Sequence, residues 1–268
     1  MTTATRAVDI VRVAAGARTA ARDRAATEEP LEIRIAREPY AVIMRTPGAD
    51  RDLAAGFLLA ERLIRSADDV LSIEYCADAV ERENTVDITF ADADAVSRAR
   101  VRRRELAAAT SCGVCGRQSI DDLASDLTPV EDGLRVASAT VARLPERLRA
   151  SQRAFEETGG LHAAGVFSSD GDLLDIAEDV GRHNAVDKVL GRALLKRRLP
   201  LSSALLCVSG RTSFEIVQKA AVAGIPVLAA VSAPSSLAIG LAARAGVTLI
   251  GFIRSESFNV YAGEQRVL

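Results

Sequence analysis

The chain has 268 residues, of which 49% are hydrophobic and 26% are charged, an ordinary balance for a globular protein with a substantial core. Its formal net charge of −2 argues against a protein that is basic throughout and coats nucleic acid. No apolar run is long enough to cross a bilayer, and four cysteines are too few for a secreted disulfide framework. We therefore predict a cytoplasmic protein with neither a membrane nor a nucleic-acid partner.

The first third of the chain predicts an α+β unit behind an irregular arm. Residues 1–30 are rich in Ala, Arg and Thr, and we interpret them as a mobile tail. Strands are expected at residues 31–35, 40–44, 70–75 and 85–90, with the first two joined as a hairpin. A helix is expected over residues 50–64, with Asp50 or Asp52 capping its start. The strands of this unit are predicted to be antiparallel.

Two thiols stand two residues apart, at Cys112 and Cys115, with glycine after each of them. This spacing brings both sulfur atoms within reach of one metal ion, one disulfide or one transferable sulfur atom. The small neighbours predict an accessible dithiol. A basic run over residues 98–104 precedes it, and its composition fits a solvated helix face and a landing site for an anion equally well.

The second half of the chain alternates strands with helices. After a helical region over residues 138–155, interrupted by Pro145, strands are expected at 161–167, 173–177, 204–208, 227–231 and 247–253. Helices are expected around residues 186–194 and over 214–223 and 236–245. Continuous apolar strands between helices are typical of a parallel sheet that is buried on both faces.

Ligands of parallel α/β sheets bind beyond the carboxyl ends of the strands, and four loops of this chain are predicted to meet there. They cover residues 178–184, 209–213, 232–236 and 254–257. Arg182, Arg211 and Arg254 would add guanidinium groups to the backbone amides at the helix starts, which suits a phosphate-bearing ligand. No Walker A or GxGxxG motif is present, so ATPase and Rossmann functions lose support.

Individual side chains in this region differ in their predicted roles. His183 lies in a polar stretch and is interpreted as a phosphate ligand or a proton shuttle. His162 begins an apolar strand and is interpreted as a core residue. Cys207 is interpreted as a buried apolar side chain. Thr212 and Glu215 have the spacing of a capping box at the start of a helix.

These motifs together resemble the FdhD family, the accessory sulfurtransferases of formate dehydrogenase. The matching stretches are CGVCG at 112–116, GLHAA at 160–164, EDVGRHNAVDK at 178–188, SGRTSFE at 209–215, AGIP at 223–226, APS at 233–235 and GFIR at 251–254. They occur in the family's order from about residue 30 onward. The run from 178 to 188 is too long and too specific to be a chance match.

The resemblance implies a sulfurtransferase of the carrier type. Such a protein takes sulfur from a cysteine desulfurase as a persulfide on the CxxC pair and passes it to the cofactor of formate dehydrogenase, the client enzyme. That cofactor is molybdenum bis-molybdopterin guanine dinucleotide, with tungsten in some relatives, and a guanine nucleotide such as GDP is expected to mimic it. By the same resemblance Cys112 carries the persulfide and Cys115 assists, a choice that the spacing alone does not make.

The resemblance also implies the architecture and the cofactor site. We expect an α/β protein with an arm at 1–30, a smaller α+β domain with antiparallel strands at 31–135, and a three-layer, cytidine-deaminase-like domain at 136–268. A homodimer is expected. The family's cofactor site maps onto Phe252, Ile253, Arg254, Ser255, Glu256 and Ser257, with Arg182, His183, Ser209, Gly210 and Arg211 as guanine and phosphate contacts.

Three other functions fit parts of the sequence. A zinc module would need two ligands beyond the CxxC pair, and a zinc deaminase would need a proline before Cys112 and a glutamate after His162, where the chain has Ser111 and Ala164. A thioredoxin-like oxidoreductase would place the CxxC motif at the start of a helix near its first βαβ unit. A cofactor chaperone that transfers no sulfur fits the dithiol as well as a carrier does.

Overall fold

The computed structural model describes residues 3–77, 79–107, 127–131 and 133–268. Cys112 and Cys115 lie outside the described residues. In the part of the chain that is described, no helix combines the length and the apolar character needed to cross a membrane.

The N-terminal segment is a β-hairpin. Strands β1 (Thr5–Ala14) and β2 (Ala17–Ala26) pair antiparallel, so the prediction of an irregular arm over residues 1–30 was wrong. Both residues of the turn, Ala15 and Gly16, have positive φ, as a type I′ turn requires. The many Ala and Arg residues gave the segment no strand pattern in the sequence. The two strands are evident only from their pairing across the turn.

A four-stranded sheet follows in the described chain. Its strands are β3 (Glu29–Ile35), β4 (Glu38–Arg45), β5 (Val70–Tyr75) and β6 (Thr85–Phe90), in the order β4-β3-β6-β5. These strands confirm the predicted positions, but the antiparallel prediction holds only for β3–β4 and β5–β6, because β3 and β6 run parallel. Helices α1 (Asp50–Ala60) and α2 (Ala93–Ala107) accompany this sheet.

The start of α1 differs from the predicted cap. Ala49 occupies the N-cap in a left-handed conformation, and no side chain caps the helix. The carboxylate of Asp50 instead accepts a hydrogen bond from Arg45 at 3.0 Å in a fully buried ion pair, and Asp52 lies 2.7 Å from Arg192. Both carboxylates are used for tertiary contacts rather than for capping.

A second sheet organises the C-terminal half of the described chain. Its six strands are β7 (His162–Ser168), β8 (Leu173–Asp179), β9 (Ala204–Val208), β10 (Val227–Ala230), β11 (Thr248–Arg254) and β12 (Ser257–Ala262), in the order β12-β11-β10-β9-β7-β8. The parallel arrangement is confirmed for β9, β10 and β11, whereas β7, β8 and β12 extend the sheet by antiparallel pairing. Residues 254–257 were predicted as a loop after the last strand, but they contain the turn into β12.

Helices cover both faces of this sheet. They are α3 (Ser138–Ala150), α4 (Arg153–Thr158), α5 (Arg182–Leu195), α6 (Phe214–Val222) and α7 (Ser236–Ala245). Leu205 and Cys207 of β9 pack on the side of α3, while Leu206 packs on the side of α5, α6 and α7. This alternation explains why the central strands are apolar throughout. The relationship to cytidine deaminases stays a prediction.

Helix α3 passes through Pro145 without a break. The helical region was predicted to be interrupted there, but α3 continues to Ala150 and the chain leaves the helix only at residues 151–152. Leu144 and Leu148 on either side of the proline are buried against the sheet. This burial compensates for the backbone hydrogen bond that a proline inside a helix removes.

Helices α1 and α5 touch backbone to backbone. A Cβ atom on Gly191 would lie 1.9 Å from the carbonyl oxygen of Asp52, and one on Gly56 would lie 2.0 Å from that of Asp187. Only glycine allows so close an approach. One buried cluster includes residues from both sheets, and the domain boundary at residue 135 stays a prediction.

We expect Gly191→Ala to lower the free energy of unfolding by about 3 kcal/mol or more, because the new methyl group would force α1 and α5 apart. Gly240→Ala in α7 is the matched control, since a Cβ there meets nothing within 4 Å. The control should stabilise the protein by about 0.5–1 kcal/mol, because alanine favours a helix interior over glycine. Urea unfolding of both variants measures the difference, and equal stabilities would contradict the close contact.

Candidate functional site

Residues 178–188, from the end of β8 into α5, turn their charged side chains in two directions. Asp179 and Lys188 point inward: their side chains are 0% and 3% exposed, and Lys188 Nζ lies 2.7 Å from Asp179 Oδ2. Lys188 also donates a hydrogen bond to the carbonyl oxygen of Thr46 at 2.8 Å. This ion pair therefore holds the loop after β4 against the loop after β8.

The rest of the Asp179 carboxylate is also occupied within the protein. Its oxygens accept hydrogen bonds from the backbone N–H of Thr46 at 3.1 Å and of Gly181 at 2.8 Å. Asn184 donates to Asp179 at 2.9 Å and to the carbonyl oxygen of Met44 at 2.8 Å. These residues of the 178–188 motif serve the fold, and none of them is left to bind a ligand.

Arg182 and His183 stand on the outer side of the same turn, at the start of α5. Neither Gly181 before α5 nor Ser213 before α6 caps its helix with a side chain. His183 Nε2 lies 3.0 Å from Ser213 Oγ, so the two uncapped helix starts meet. Uncapped N-terminal amides together with the helix dipole attract an anion.

The loop after β9 closes the same site. The backbone N–H of Ala163 donates to Ser209 Oγ at 2.9 Å, which fixes the loop to β7. A Cβ on Gly210 would lie 3.3 Å from His162 Nδ1 and 3.7 Å from Arg182 Cδ, so these three residues are neighbours. Arg211 is exposed beside them.

His162 was interpreted as a core residue, and the structure places it beside this site. It is only partly buried, and this burial lowers its pKa from the ordinary value. Its strand β7 runs antiparallel to β9, which brings the start of β7 to the end of β9. The sequence predicted the two strands but not this pairing, so it carried no signal for the position of His162.

Two polar atoms in this site are buried without a partner. Thr212 is 1% exposed, and its hydroxyl oxygen makes no hydrogen bond; the Nε of Arg182 is likewise unpaired. The predicted capping box of Thr212 and Glu215 does not form, because α6 begins one residue too late for it. Buried polar groups in native proteins are normally paired. We call Arg182, His183, Gly210, Thr212 and Ser213 the α5–α6 cluster.

Residues 252–257 lie at the same edge of the sheet but partly on its other face. Phe252 and Arg254 are exposed, with the guanidinium carbon 6.0 Å from the ring centre, whereas Ile253 is buried toward α3. A groove of about 510 Å³, the α3 groove, is lined by Ser138, Ala139, Ala142, Arg143, Pro145, Glu146, Ile253, Ser255 and Glu256. The sequence did not indicate the residues that α3 contributes. Ser257 opens β12.

The loop after β10 lies between the α5–α6 cluster and residues 252–257. Thr212 donates its backbone N–H to Ala233 at 3.1 Å, and Phe252 donates to Ser232 at 3.3 Å. The predicted cofactor residues thus form two groups, one in and around the α5–α6 cluster and one at residues 252–257. The loop after β10 links the two groups along one edge of the sheet.

Two other sequence features take structural roles. Arg98 and Arg100 of the basic run are exposed and pair with Asp92 at 3.1 Å and Glu38 at 2.6 Å, as on a solvated helix face. Cys207 is fully buried, and burial raises the pKa of its thiol to about 12, which confirms it as an apolar core residue. Among the described residues, no three His, Cys, Asp or Glu side chains are grouped as metal ligands.

Comparison with known proteins gives a consistent set of matches. The model of the FdhD/NarQ family matches residues 26–268. The chain is 51% identical to the sulfur carrier protein FdhD of Streptomyces coelicolor, over 96% of this chain and 94% of the relative. It is 52% identical to the protein of the same name from Anaeromyxobacter dehalogenans, over 92% and 90%. A crystal structure described as a formate dehydrogenase accessory protein from Desulfotalea psychrophila superposes with a TM-score of 0.77 at 25% identity, covering 98% of this chain and 99% of that one.

The division of the 178–188 motif can be tested by stability. Lys188→Met should lower the free energy of unfolding by about 3 kcal/mol or more, because it leaves the Asp179 carboxylate buried without its cation. Arg182→Met, six residues earlier, should change it by less than about 1 kcal/mol, because the buried Nε of Arg182 has no partner to lose. Urea unfolding at pH 7 measures both. Similar losses in the two variants would contradict the inward and outward assignment.

Proposed function

The chain belongs to the FdhD/NarQ family, and from this premise we propose that it is a sulfur carrier that serves formate dehydrogenase. The proposal is supported by relatives named sulfur carrier proteins at 48–52% identity along nearly the whole chain. The solved structure described as a formate dehydrogenase accessory protein supports the identity of the client.

The chemistry is assigned to Cys112 and Cys115, on the basis of their sequence and of the family. The thiolate of Cys112 attacks the outer sulfur of a persulfide on a cysteine desulfurase. The bond between the two donor sulfurs breaks, the donor leaves as a thiol, and Cys112 holds the transferred sulfur as a persulfide. The oxidation level of the transferred sulfur does not change in this step.

Release of the sulfur as sulfide needs two electrons, and the second cysteine can supply them. The thiolate of Cys115 attacks Cys112 Sγ, a Cys112–Cys115 disulfide forms, and the outer sulfur leaves as hydrosulfide. The Cys115 thiolate and the Cys112 persulfide become one disulfide and one hydrosulfide, so the exchange balances without another reactant. A cellular thiol reductant then restores the dithiol for the next cycle.

The acceptor is proposed to be the molybdenum bis-molybdopterin guanine dinucleotide of the client, bound as a substrate. One observation supports this choice most directly: the α5–α6 cluster combines two uncapped helix starts with the unpaired Arg182 Nε and Thr212 hydroxyl. These groups fit a phosphate of the dinucleotide. Arg211 and residues 252–257 would bind other parts of it, and the molybdenum would take up the sulfide.

The remaining partners follow from the same proposal. A cysteine desulfurase is needed as the sulfur donor, and we propose a homodimer in the cytoplasm, as the family resemblance implies. Release of sulfide within a bound complex would prevent its loss to water.

Intact-protein mass spectrometry after incubation with a cysteine desulfurase and cysteine tests the carrier. The wild type should gain the mass of one sulfur atom, and a reductant should remove it, because a persulfide is reducible. Cys112→Ala should lose the gain, whereas Cys115→Ala should retain it, because the persulfide forms on Cys112.

The control is Cys207→Ala, whose thiol is buried and should not contribute. If the wild type gains no sulfur while the same desulfurase loads another acceptor, the carrier proposal fails. A cofactor chaperone or a zinc module at the CxxC pair would then be favoured.

Calorimetric titration with GDP tests the nucleotide site. Arg182→Ala should weaken binding about tenfold or more, because a charged hydrogen bond to phosphate is lost, and Arg211→Ala should weaken it by a smaller factor. Arg98→Ala is the matched control, since this exposed arginine pairs with Asp92 on a helix away from the cluster. Unchanged affinity in both test variants would exclude the strand-end loops as the nucleotide site.

A further inference from the structure

His183 takes part in a short chain of hydrogen bonds that determines where its proton lies. Its Nε2 is 3.0 Å from Ser213 Oγ, and Ser213 donates its hydroxyl proton to Glu215 Oε2 at 2.6 Å. His183 Nε2 and Glu215 Oε2 are 3.5 Å apart. The order of the chain is therefore imidazole, hydroxyl, carboxylate.

Counting protons gives the direction of each bond. A serine hydroxyl has a single proton, and an ionised carboxylate has none. Because Ser213 gives its proton to Glu215, the Ser213 oxygen can only accept from His183, so Nε2 must carry the imidazole proton. In a neutral imidazole the other nitrogen is then an acceptor. Among the described residues, none forms a hydrogen bond with Nδ1 of His183.

The surroundings of His183 keep the ring neutral at pH 7. Burial, together with the positive charges of Lys219 and Arg182, lowers the pKa of His183 to about 4, although Glu215 acts in the opposite direction. His162 is the other titratable neighbour and also lowers this pKa. A neutral ring that offers a lone pair is unsuited to a phosphate oxygen, which has no proton to donate. A neutral ring therefore favours a donor group of the ligand over the phosphate contact that the sequence predicted.

We propose that His183 Nδ1 is the hydrogen-bond acceptor of the α5–α6 cluster, and that it binds an N–H or O–H group of the ligand beside the phosphate contacts. In a guanine nucleotide the donor would be the N–H edge of the base or a ribose hydroxyl. Ser213 and Glu215 are positioning residues, since they fix the tautomer without touching the ligand. This inference rests on the proposed nucleotide site and specifies which kind of ligand group it recognises.

Nuclear magnetic resonance of protein labelled in its histidines tests the tautomer in the free protein. The chain has only two histidines, so His162→Gln assigns the spectrum. The ¹⁵N shifts should show His183 neutral and protonated at Nε2 from pH 5.5 to pH 8. Ser213→Ala should give a mixture of tautomers, because Nε2–H loses its acceptor. An imidazolium or an Nδ1–H tautomer at pH 7 in the wild type would overturn the inference.

Calorimetry with two variants of His183 tests the acceptor. An asparagine places its amide atoms near Nδ1, whereas a glutamine places them near Nε2. His183→Gln should weaken GDP binding about tenfold, as for a lost hydrogen bond to a desolvated donor, and His183→Asn should weaken it less. Inorganic sulfate, which carries no proton at pH 7 and only accepts hydrogen bonds, should bind equally to the wild type and both variants. No loss for ADP identifies a donor that guanine has and adenine lacks, and an equal loss for ADP identifies a ribose hydroxyl or the amino group of the base.

The outcomes separate this inference from the proposed function. Equal GDP affinities in the wild type and His183→Gln, or an equal loss for GDP and inorganic sulfate, overturn the acceptor role and leave the sulfur carrier untouched. A wild type that binds no GDP overturns the nucleotide site and the acceptor role together. Thermal unfolding of each variant shows whether it is folded. Ser213→Ala tests the acceptor role a second time, because it changes the tautomer of His183 without replacing the ring.

Discussion

The contact between α1 and α5 is the constraint on which the rest of the structure depends. Two helices approach this closely only where glycine faces a carbonyl oxygen, as at Gly56 and Gly191. The contact joins the layer above the four-stranded sheet to the layer above the six-stranded sheet, and so it sets the position of the start of α5. The positions of Arg182 and His183 in the α5–α6 cluster therefore depend on this contact.

The helical repeat explains how one motif serves both the fold and the site. Residues three and four apart lie on one face of a helix, so Asn184, Lys188 and Gly191 all face α1 and the loop after β4. Arg182 and His183 precede that face and stay at its outer edge. The buried pair of Asp179 and Lys188 costs desolvation energy but admits only one arrangement of the two loops. A motif that looks uniformly functional in sequence is thus mostly structural.

The sequence predicted features that carry a strong apolar pattern, and it missed polar strands and contacts between distant segments. Apolar runs located β9, β10 and β11, and their loops were correctly predicted to share one edge. The hairpin of β1 and β2 and the last strand β12 pair with their chain neighbours, but their largely exposed or half-buried residues lack a continuous apolar run. The place of His162 follows from the pairing of β7 with the distant strand β9, which no local pattern identifies. The α3 groove was missed for the same reason, since helix and turn are a hundred residues apart. The proposal that Cys112 and Cys115 carry the sulfur chemistry rests on the sequence alone.

Burial affects two neighbouring residues of the α5–α6 cluster, Arg182 and His183, in opposite ways. A low local dielectric disfavours a second positive charge beside Arg182 and Lys219, and His183 is accordingly neutral at pH 7. The same low dielectric strengthens the attraction between a guanidinium and a phosphate. In the proposed site the cation therefore serves the charged part of a ligand, and the imidazole serves an uncharged donor. A phosphate alone would satisfy only half of such a site, whereas a nucleotide carries both a phosphate and uncharged donor groups.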